Sequence, residues 1–371
     1  RCLKAFCTPA RSERFLLYDY VHRVLHFRLD TAMHSFHPLQ PLWNLAAAPM
    51  QVHALRQAIE VRLFEHLERP AGAAAIAQTL QWQVQPVAIW LDVLWSMGLL
   101  HRHAAADNAA AEYVRSALAA RFFHPASRQN CAAAWQARAD FLSAFAAQWQ
   151  PVLRHGVAAP DNPQPGRWAQ AARQHLGQEQ RAISAAQMPA LLRRLPPLPE
   201  TGRFADVGGG PGHVAIALAQ QLPGWQGVLI EQQHSAAVAQ ENIAAAGLSA
   251  RLGSLARDLN ADADIGNGYD LIWCSSVLHF VHDPQAVVRQ LHDALRPGGL
   301  LLLAHGEISG DPEQAAQVLP FYAGVVLRGG YLPRAGDMAR WMQAAGFADI
   351  RALGRIDWAL APLWLHGGRR I

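Results

Sequence analysis

Arg203-Phe-Ala-Asp-Val-Gly-Gly-Gly-Pro-Gly-His213 decides how this chain folds. Phe204 to Val207 reads as a short buried strand that runs into a glycine loop, and a helix follows from Val214 to Leu222. So sharp a turn needs glycine, which tolerates positive φ cheaply and lets a ligand touch the backbone. The helix that follows presents free N–H groups at its start. The glycine spacing is Gly208-x-Gly210-x-Gly212, with Asp206 two residues ahead. Dinucleotide folds use G-x-G-x-x-G without an acid at the strand end, so this pattern favours a ligand lacking a pyrophosphate. A second apolar strand, Gly227 to Ile230, ends in Glu231, which is placed to accept hydrogen bonds from ribose hydroxyls. The combination describes a nucleoside site.

Asp206-Val-Gly-Gly-Gly-Pro-Gly212 together with Glu231 resembles the S-adenosylmethionine site of class I methyltransferases. That resemblance implies a cofactor set of Asp206, Gly208, Gly210, Gly212, Glu231 and Gln232, with Cys274 and Ser275 at the end of the fourth strand. The family has Gly-Asp after its third strand. This chain has Gly253-Ser254, so Ser254 can hydrogen-bond but carries no charge, and Leu255 offers an apolar face to the adenine.

The flanking sequence supports an α/β reading. From residue 203 onward, strands and helices alternate: strands 203–207, 226–230, 249–253, 269–274 and 299–305, and helices 212–221, 235–246 and 284–295. Repeated β-then-α order argues for a Rossmann-like, doubly wound parallel sheet. Asp283-Pro284 starts a helix and Arg296-Pro-Gly-Gly299 stops it. The segments 347–355 and 359–366 are expected to close the sheet as an antiparallel hairpin.

Upstream, residues 14–36 and 45–67 carry apolar positions at helical spacing. Further helices over 73–80 and 87–97 lead into a short strand, Gly98 to Arg102, which suggests a winged helix. Ala58 to Leu67 and Trp90 to Leu100 are similar to the dimerisation module of the caffeate and hydroxyindole O-methyltransferase family. The expected organisation is a helical extension over 1–44, a winged-helix dimerisation domain over 45–125, a helical linker and lid over 126–198, and the cofactor-binding catalytic domain over 199–371. The extension has no counterpart in the resemblance. A homodimer through the N-terminal helices is expected, because so much apolar helix surface exceeds what one small domain covers.

The bulk numbers bound the function. The 371 residues suffice for two cores, with 51% hydrophobic and 16% charged residues. The net charge of +4 comes without a basic run, so no nucleic acid is expected as a partner. A winged helix raises DNA binding as a rival class. Its groove-entering helix, Gln85 to Met97, has no Lys or Arg and is built for burial. Four cysteines lack a pairing pattern beyond Cys2 and Cys7, and no apolar run reaches the roughly 20 residues of a membrane span. Residues 1–14 show no signal-peptide pattern. A cytoplasmic protein with free thiols and no membrane association follows.

Methyl transfer from a sulfonium requires alignment and, for a hydroxyl acceptor, a general base. His279 lies in Val277-Leu-His-Phe-Val-His-Asp283, just past the fourth strand, where ligands of an open sheet sit. The resembling family places its base histidine there, in Trp-Ile-Leu-His-Asp-Trp-Ser-Asp. Here Val277-Leu278-His279 and Asp283 match, but Phe280 stands where Asp is usual. Glu307 follows His279 at the family's interval for the carboxylate that orients the base. The family's second carboxylate would fall near Leu332 and is missing. Trp168, Met188, Phe321, Tyr322, Tyr331 and Trp341 are candidate walls for a flat acceptor. His279, His282, Asp283, His292 and His305 cluster without metal-ligand support, so no metal is expected. The resemblance implies O-methylation of a small aromatic or polyketide-like hydroxyl acceptor. Transfer to nitrogen, sulfur or carbon, or a cofactor-sensing regulator, stand as alternatives.

Overall fold

The computed structural model describes residues 37–103, 110–156, 166–262 and 264–371. The expected helix 14–36 and the Cys2/Cys7 pair lie outside the described residues. The described residues up to 49 and those from 50 onward fall in two separate units. Helix Gln40–Glu60 ends where Arg62 takes a left-handed φ of 55°, and the short helix Leu63–His66 follows. The single helix read over 45–67 is therefore two, because a left-handed residue ends the α ladder.

The rest of the N-terminal module follows the winged-helix reading. Helices Ala73–Leu80 and Val84–Ser96 precede a three-stranded antiparallel sheet of β1 (Ala71–Gly72), β2 (Leu100–His103) and β3 (Glu112–Arg115), in the order β1-β3-β2. Val87, Leu91 and Leu94 share one face of helix Val84–Ser96 and pack with Leu63 and Phe64 in a closed core. Ser116 caps the next helix by accepting from the Ala119 N–H at 3.2 Å.

The large sheet holds β4 (Gly202–Val207), β5 (Trp225–Glu231), β6 (Leu252–Ala256), β7 (Tyr269–Ser275), β8 (Leu295–His305), β9 (Phe347–Ile356) and β10 (Leu363–Arg370), in the order β6-β5-β4-β7-β8-β10-β9. The first five are parallel, and β10 inserts antiparallel between β8 and β9. Alternate residues feed two cores. Phe204, Leu229 and Trp273 point into one, and Ala205, Val207, Ile230 and Cys274 into the other. A sheet buried on both faces is what parallel crossovers through helices produce. Three strands depart from the sequence reading: β6 begins three residues later than 249–253, because Gly247 to Arg251 is spent on a turn in which the Arg251 N–H donates to the Leu248 carbonyl; β8 begins at Leu295, so Arg296-Pro-Gly-Gly299 lies within the strand and not before it; and β10 begins at Leu363, four residues later than expected.

Candidate functional site

β4 pairs with β5 on one side and β7 on the other, so the crossovers leave in opposite directions and open a crevice at its C-terminal end. The glycine loop lies there. Gly208 has φ +69° and Gly210 φ +55°. A Cβ on Gly208 would sit 2.1 Å from Val277 Cγ2, so a side chain there cannot coexist with the loop that carries His279. Above Gly210 the nearest atom to such a Cβ would be Gln180 Nε2 at 3.5 Å, so that backbone faces open space. Glu231 reaches over from the end of β5. Its Oε2 accepts from the Gly210 N–H at 3.0 Å and its Oε1 from the Gln232 N–H at 2.8 Å. A bare backbone, a helix start at His213 and a carboxylate poised over both fit a nucleoside with a charged amino-acid arm.

Asp206 sits beneath this loop, 2% exposed, with its Oδ2 lacking a hydrogen-bond partner among the described residues. Burial, then the charge of Glu231, pushes its carboxyl up to about 7. It supports the loop from below rather than standing in the crevice. A carboxyl raised on folding favours the folded state below about pH 4 and loses that contribution as pH rises through about 7. The unliganded protein is therefore expected to lose stability across that interval, by a few kcal/mol at about 1.36 kcal/mol per unit. Asp206→Asn should flatten the slope, which chemical denaturation at a series of pH values measures.

Gln180, which the sequence reading did not single out, closes the other side of the crevice. Helical turns run from Arg167–Ala171 to Ala185–Leu192, and two of them, Ala172–Leu176 and Gln180–Ser184, are π-helical. Such bulges re-aim side chains and recur at functional sites. Gln180 Nε2 donates to the Gly209 carbonyl at 3.0 Å, and its Oε1 accepts from the His213 N–H at 3.0 Å. One side chain thus bolts the lid segment to both the glycine loop and the following helix. Burial, then Arg181, pushes the His213 imidazole down to about 4.

Four expected cofactor contacts need correction. Gly253 and Ser254 lie inside β6, not beyond it, and the Ser254 hydroxyl and N–H both engage Gln240 Oε1, at 3.2 and 3.1 Å. Leu255 packs at the edge of the core shared with Ile230. The Cys274 thiol is fully buried in that core, and burial pushes its pKa upward, so only its backbone approaches the crevice. Asp258, two residues past the end of β6, is the acid whose charge bears on Glu231. The register of β6 concealed it: once the strand starts at Leu252, an acid stands where the strand-three Gly-Asp was sought.

His279 sits in a 3₁₀ turn, Leu278–Phe280, that follows a left-handed Ser276 at φ 55°. It is 4% exposed, and neither ring nitrogen bonds to another described residue. Its ring lies 5.2 Å from Tyr322, edge to face, and 4.2 Å from Phe280. Burial, then the nearby Arg138, pushes the imidazole down to about 3, so it is neutral at ordinary pH. Arg138 comes from helix Ala132–Ala146 and is held by Glu179, Nε to Oε2 at 3.0 Å and Nη2 to Oε1 at 3.1 Å. This fork-on-carboxylate pair was also missed; an arginine in an alanine-rich helix gave little sign of a cleft.

Of the expected walls, Trp168 is 41% exposed and packs against Phe280 at 4.9 Å, and Tyr322 faces His279. Phe321 packs with Val318 and Leu332. Met188 does not line the cleft: it is fully buried against the inner face of the sheet. Glu307 does not hold His279 either. Its Oε1 lies 3.2 Å from His366 Nε2 and its Oε2 accepts from the Gly336 N–H at 3.3 Å. β10 inserts beside β8 and brings His366 to the carboxylate.

Comparison with known proteins agrees with this arrangement. Residues 178–352 match the family model of a methyltransferase domain, and residues 43–125 match that of an O-methyltransferase dimerisation domain. The 3-hydroxy-5-methyl-1-naphthoate 3-O-methyltransferase of Streptomyces sahachiroi is 27% identical over 84% of this chain and 90% of its own length. The L-tyrosine C(3)-methyltransferase of Streptomyces lavendulae is 28% identical over 45% of this chain and 46% of its own. Human N-acetylserotonin methyltransferase, solved with S-adenosylmethionine, superposes with a TM-score of 0.71 at 17% identity, covering 91% of this chain and 99% of that one. With both domains matched in order and the nucleoside crevice in place, the chain belongs to the class I S-adenosylmethionine-dependent methyltransferases of the caffeate and hydroxyindole O-methyltransferase type, which carry an N-terminal dimerisation domain.

Proposed function

We propose that the acceptor is a small aromatic or polyketide-like hydroxyl compound and that His279 takes its proton. The observation that carries this reading is a neutral, buried imidazole among aromatic side chains, just past β7 and beside the glycine loop. The naphthoate relative, similar over both domains, supports oxygen as the methylated atom; the tyrosine C-methyltransferase matches under half the chain.

S-adenosylmethionine supplies an electrophilic methyl group on a sulfonium. Gly208, Gly210 and Glu231 hold it at the crevice, with Asp206 bracing the loop beneath. Trp168, Phe280 and Tyr322 confine a flat acceptor and limit its approach to one direction, which can supply much of the acceleration. Arg138 and Glu179 fix the polar edge of that cleft. His279 accepts the hydroxyl proton as the oxygen becomes nucleophilic. The test is incubation with labelled S-adenosylmethionine and 3-hydroxy-5-methyl-1-naphthoate, alongside a panel of phenols, anilines and thiols, with products assigned by NMR. An O-methyl ether is expected. Methylation confined to carbon or nitrogen would overturn the reading, and retention of DNA without any transfer would favour a regulator.

The chain acts as a homodimer in the cytoplasm, without nucleic acid or membrane partners. Leu42, Trp43, Leu45 and Met50 on helix Gln40–Glu60 are exposed, a density of apolar surface typical of interfaces. No helix among the described residues is long and apolar enough to cross a membrane. Light scattering at low micromolar concentration should give twice the 40.6 kDa chain mass. Leu42→Glu with Trp43→Glu should shift the protein toward monomer, and a fully active monomeric wild type would refute the dimer.

A further inference from the structure

His305 is fully buried, yet neither Nδ1 nor Nε2 has a hydrogen-bond partner among the described residues. A buried polar group left unmet costs about 1–3 kcal/mol, and native folds rarely leave one without a reason. The sheet register shows what surrounds it. β8 and β10 pair His305 with Trp364 and Leu303 with His366, so His305 and His366 are diagonal neighbours on one face. Beyond the strand end, His366 Nε2 lies 3.2 Å from Glu307 Oε1, and His366 Nδ1 is a second buried, unpartnered nitrogen. On the other side, the His279 ring stands edge to face with His305, centroids 6.3 Å apart. Glu307 and His366 also line a separate cavity of about 250 Å³, bounded by Ser309, Gln314 and Gly336. Four titratable side chains thus run from the acceptor cleft to a second opening. Among the described residues no group of three or more His, Cys, Asp or Glu is arranged to hold a metal ion, so ligation does not explain the cluster.

We propose that His305, His366 and Glu307 form a proton path that carries the acceptor's hydroxyl proton from His279 to this second cavity. The proposal rests on the O-methylation reading. The acceptor oxygen gives its proton to one nitrogen of His279 as it gains the methyl group. His279 releases a proton from its other nitrogen to a bridging water, which relays one to His305, since the two rings are too far apart for a direct bond. His305 passes one by the same kind of relay to His366 Nδ1, and His366 passes one directly from Nε2 to Glu307, which discharges it into the cavity. Each imidazole ends neutral, because it accepts at one nitrogen and releases from the other. The path answers a specific difficulty. A buried histidine beside Arg138 holds a positive charge poorly, so a base placed there works best if the proton moves on.

The experiment uses His305→Gln and His366→Gln in the full chain, since glutamine keeps a polar side chain of similar reach but is a poor proton carrier. Two acceptors are compared: 3-hydroxy-5-methyl-1-naphthoate and its 3-thiol analogue, which is largely ionised near neutrality and has no proton to lose. Turnover of the hydroxy acceptor should fall on the order of tenfold in each variant, the low side of acid–base effects. Turnover of the thiol and affinity for S-adenosylhomocysteine should stay within about twofold of wild type. Equal slowing of both acceptors would mean a packing role and overturn the path, as would unchanged turnover of the hydroxy acceptor. A second readout needs no acceptor. In nitrogen-15 spectra of the wild-type protein with S-adenosylhomocysteine, both His305 nitrogens should carry hydrogen-bonded shifts, and those shifts should move in His366→Gln. Unbonded shifts at His305 would sink the path even if methylation is observed. Failure of wild type to methylate either compound, with the bonded shifts present, would instead count against the acceptor class.

Discussion

Replacing His279 with alanine is expected to cut turnover of a hydroxyl acceptor by roughly 10²–10⁴-fold, with affinity for S-adenosylhomocysteine near wild type. The two effects separate because His279 and the cofactor crevice are built by different elements. His279 rides on the turn Leu278–Phe280 after β7, while the crevice is made by the loop after β4 and by Glu231 from β5. The pH profile gives a second signature. An exposed histidine base switches off as pH falls through about 6.5. The pKa of His279 is pushed down to about 3, by burial first and then by Arg138, so its lone pair stays free throughout the physiological range. Wild-type turnover should therefore show no acid limb near 6.5, and any limb due to His279 should lie near pH 3. Glu179, which pairs with Arg138, matters to this balance: Glu179→Gln leaves Arg138 uncompensated and should depress the imidazole further. An alanine variant with nearly normal turnover would mean that alignment alone drives transfer, and would favour an acceptor that binds already ionised.

The meeting of the glycine loop with Glu231 was legible in the sequence because it depends on backbone. A glycine spacing and an acid at each of two strand ends are local facts, and β4 and β5 put them together without help from distant residues. The acceptor side was only half legible. His279 could be placed because its loop follows a recognisable strand, but its surroundings come from far along the chain. Arg138 and Glu179 meet across 41 residues, and Glu307 meets His366 across 59. The interval between His279 and Glu307 suggested a pair, yet spacing says nothing about which strand inserts beside a carboxylate. β10 inserts there and supplies a competing imidazole. Met188 fails as a wall for a related reason: helical periodicity marks an apolar face but not which layer it meets. The π-helical turns around Gln180 left no periodic signal, since a bulge breaks the 3.6-residue pattern on which a helix is recognised.

Gly208→Val should abolish cofactor binding outright. Two independent costs coincide at this residue. A β-branched side chain at φ +69° is strained wherever it occurs. Its Cβ would also fall 2.1 Å from Val277 Cγ2, on the segment that carries His279. Relief requires the loop to leave the crevice, the His279 turn to move, or both. Gly210→Val shares the strain but meets no crowding, so it should act mainly by filling the space the ligand needs. Glu231→Ala is milder. It removes the acceptor for the ribose and also frees the Gly210 and Gln232 N–H groups that the carboxylate holds. A hydrogen bond to a charged group contributes about 1.5–3 kcal/mol, so affinity should fall roughly 10–150-fold. Calorimetric titration with S-adenosylhomocysteine ranks the three, with circular dichroism confirming that each remains folded. The order matters more than any one value. Gly208→Val should be the worst because its damage passes through Val277 to both halves of the site. If Glu231→Ala binds as tightly as wild type while Gly208→Val does not, the glycine loop holds the ligand without the ribose carboxylate, and the nucleoside must sit elsewhere along the crevice.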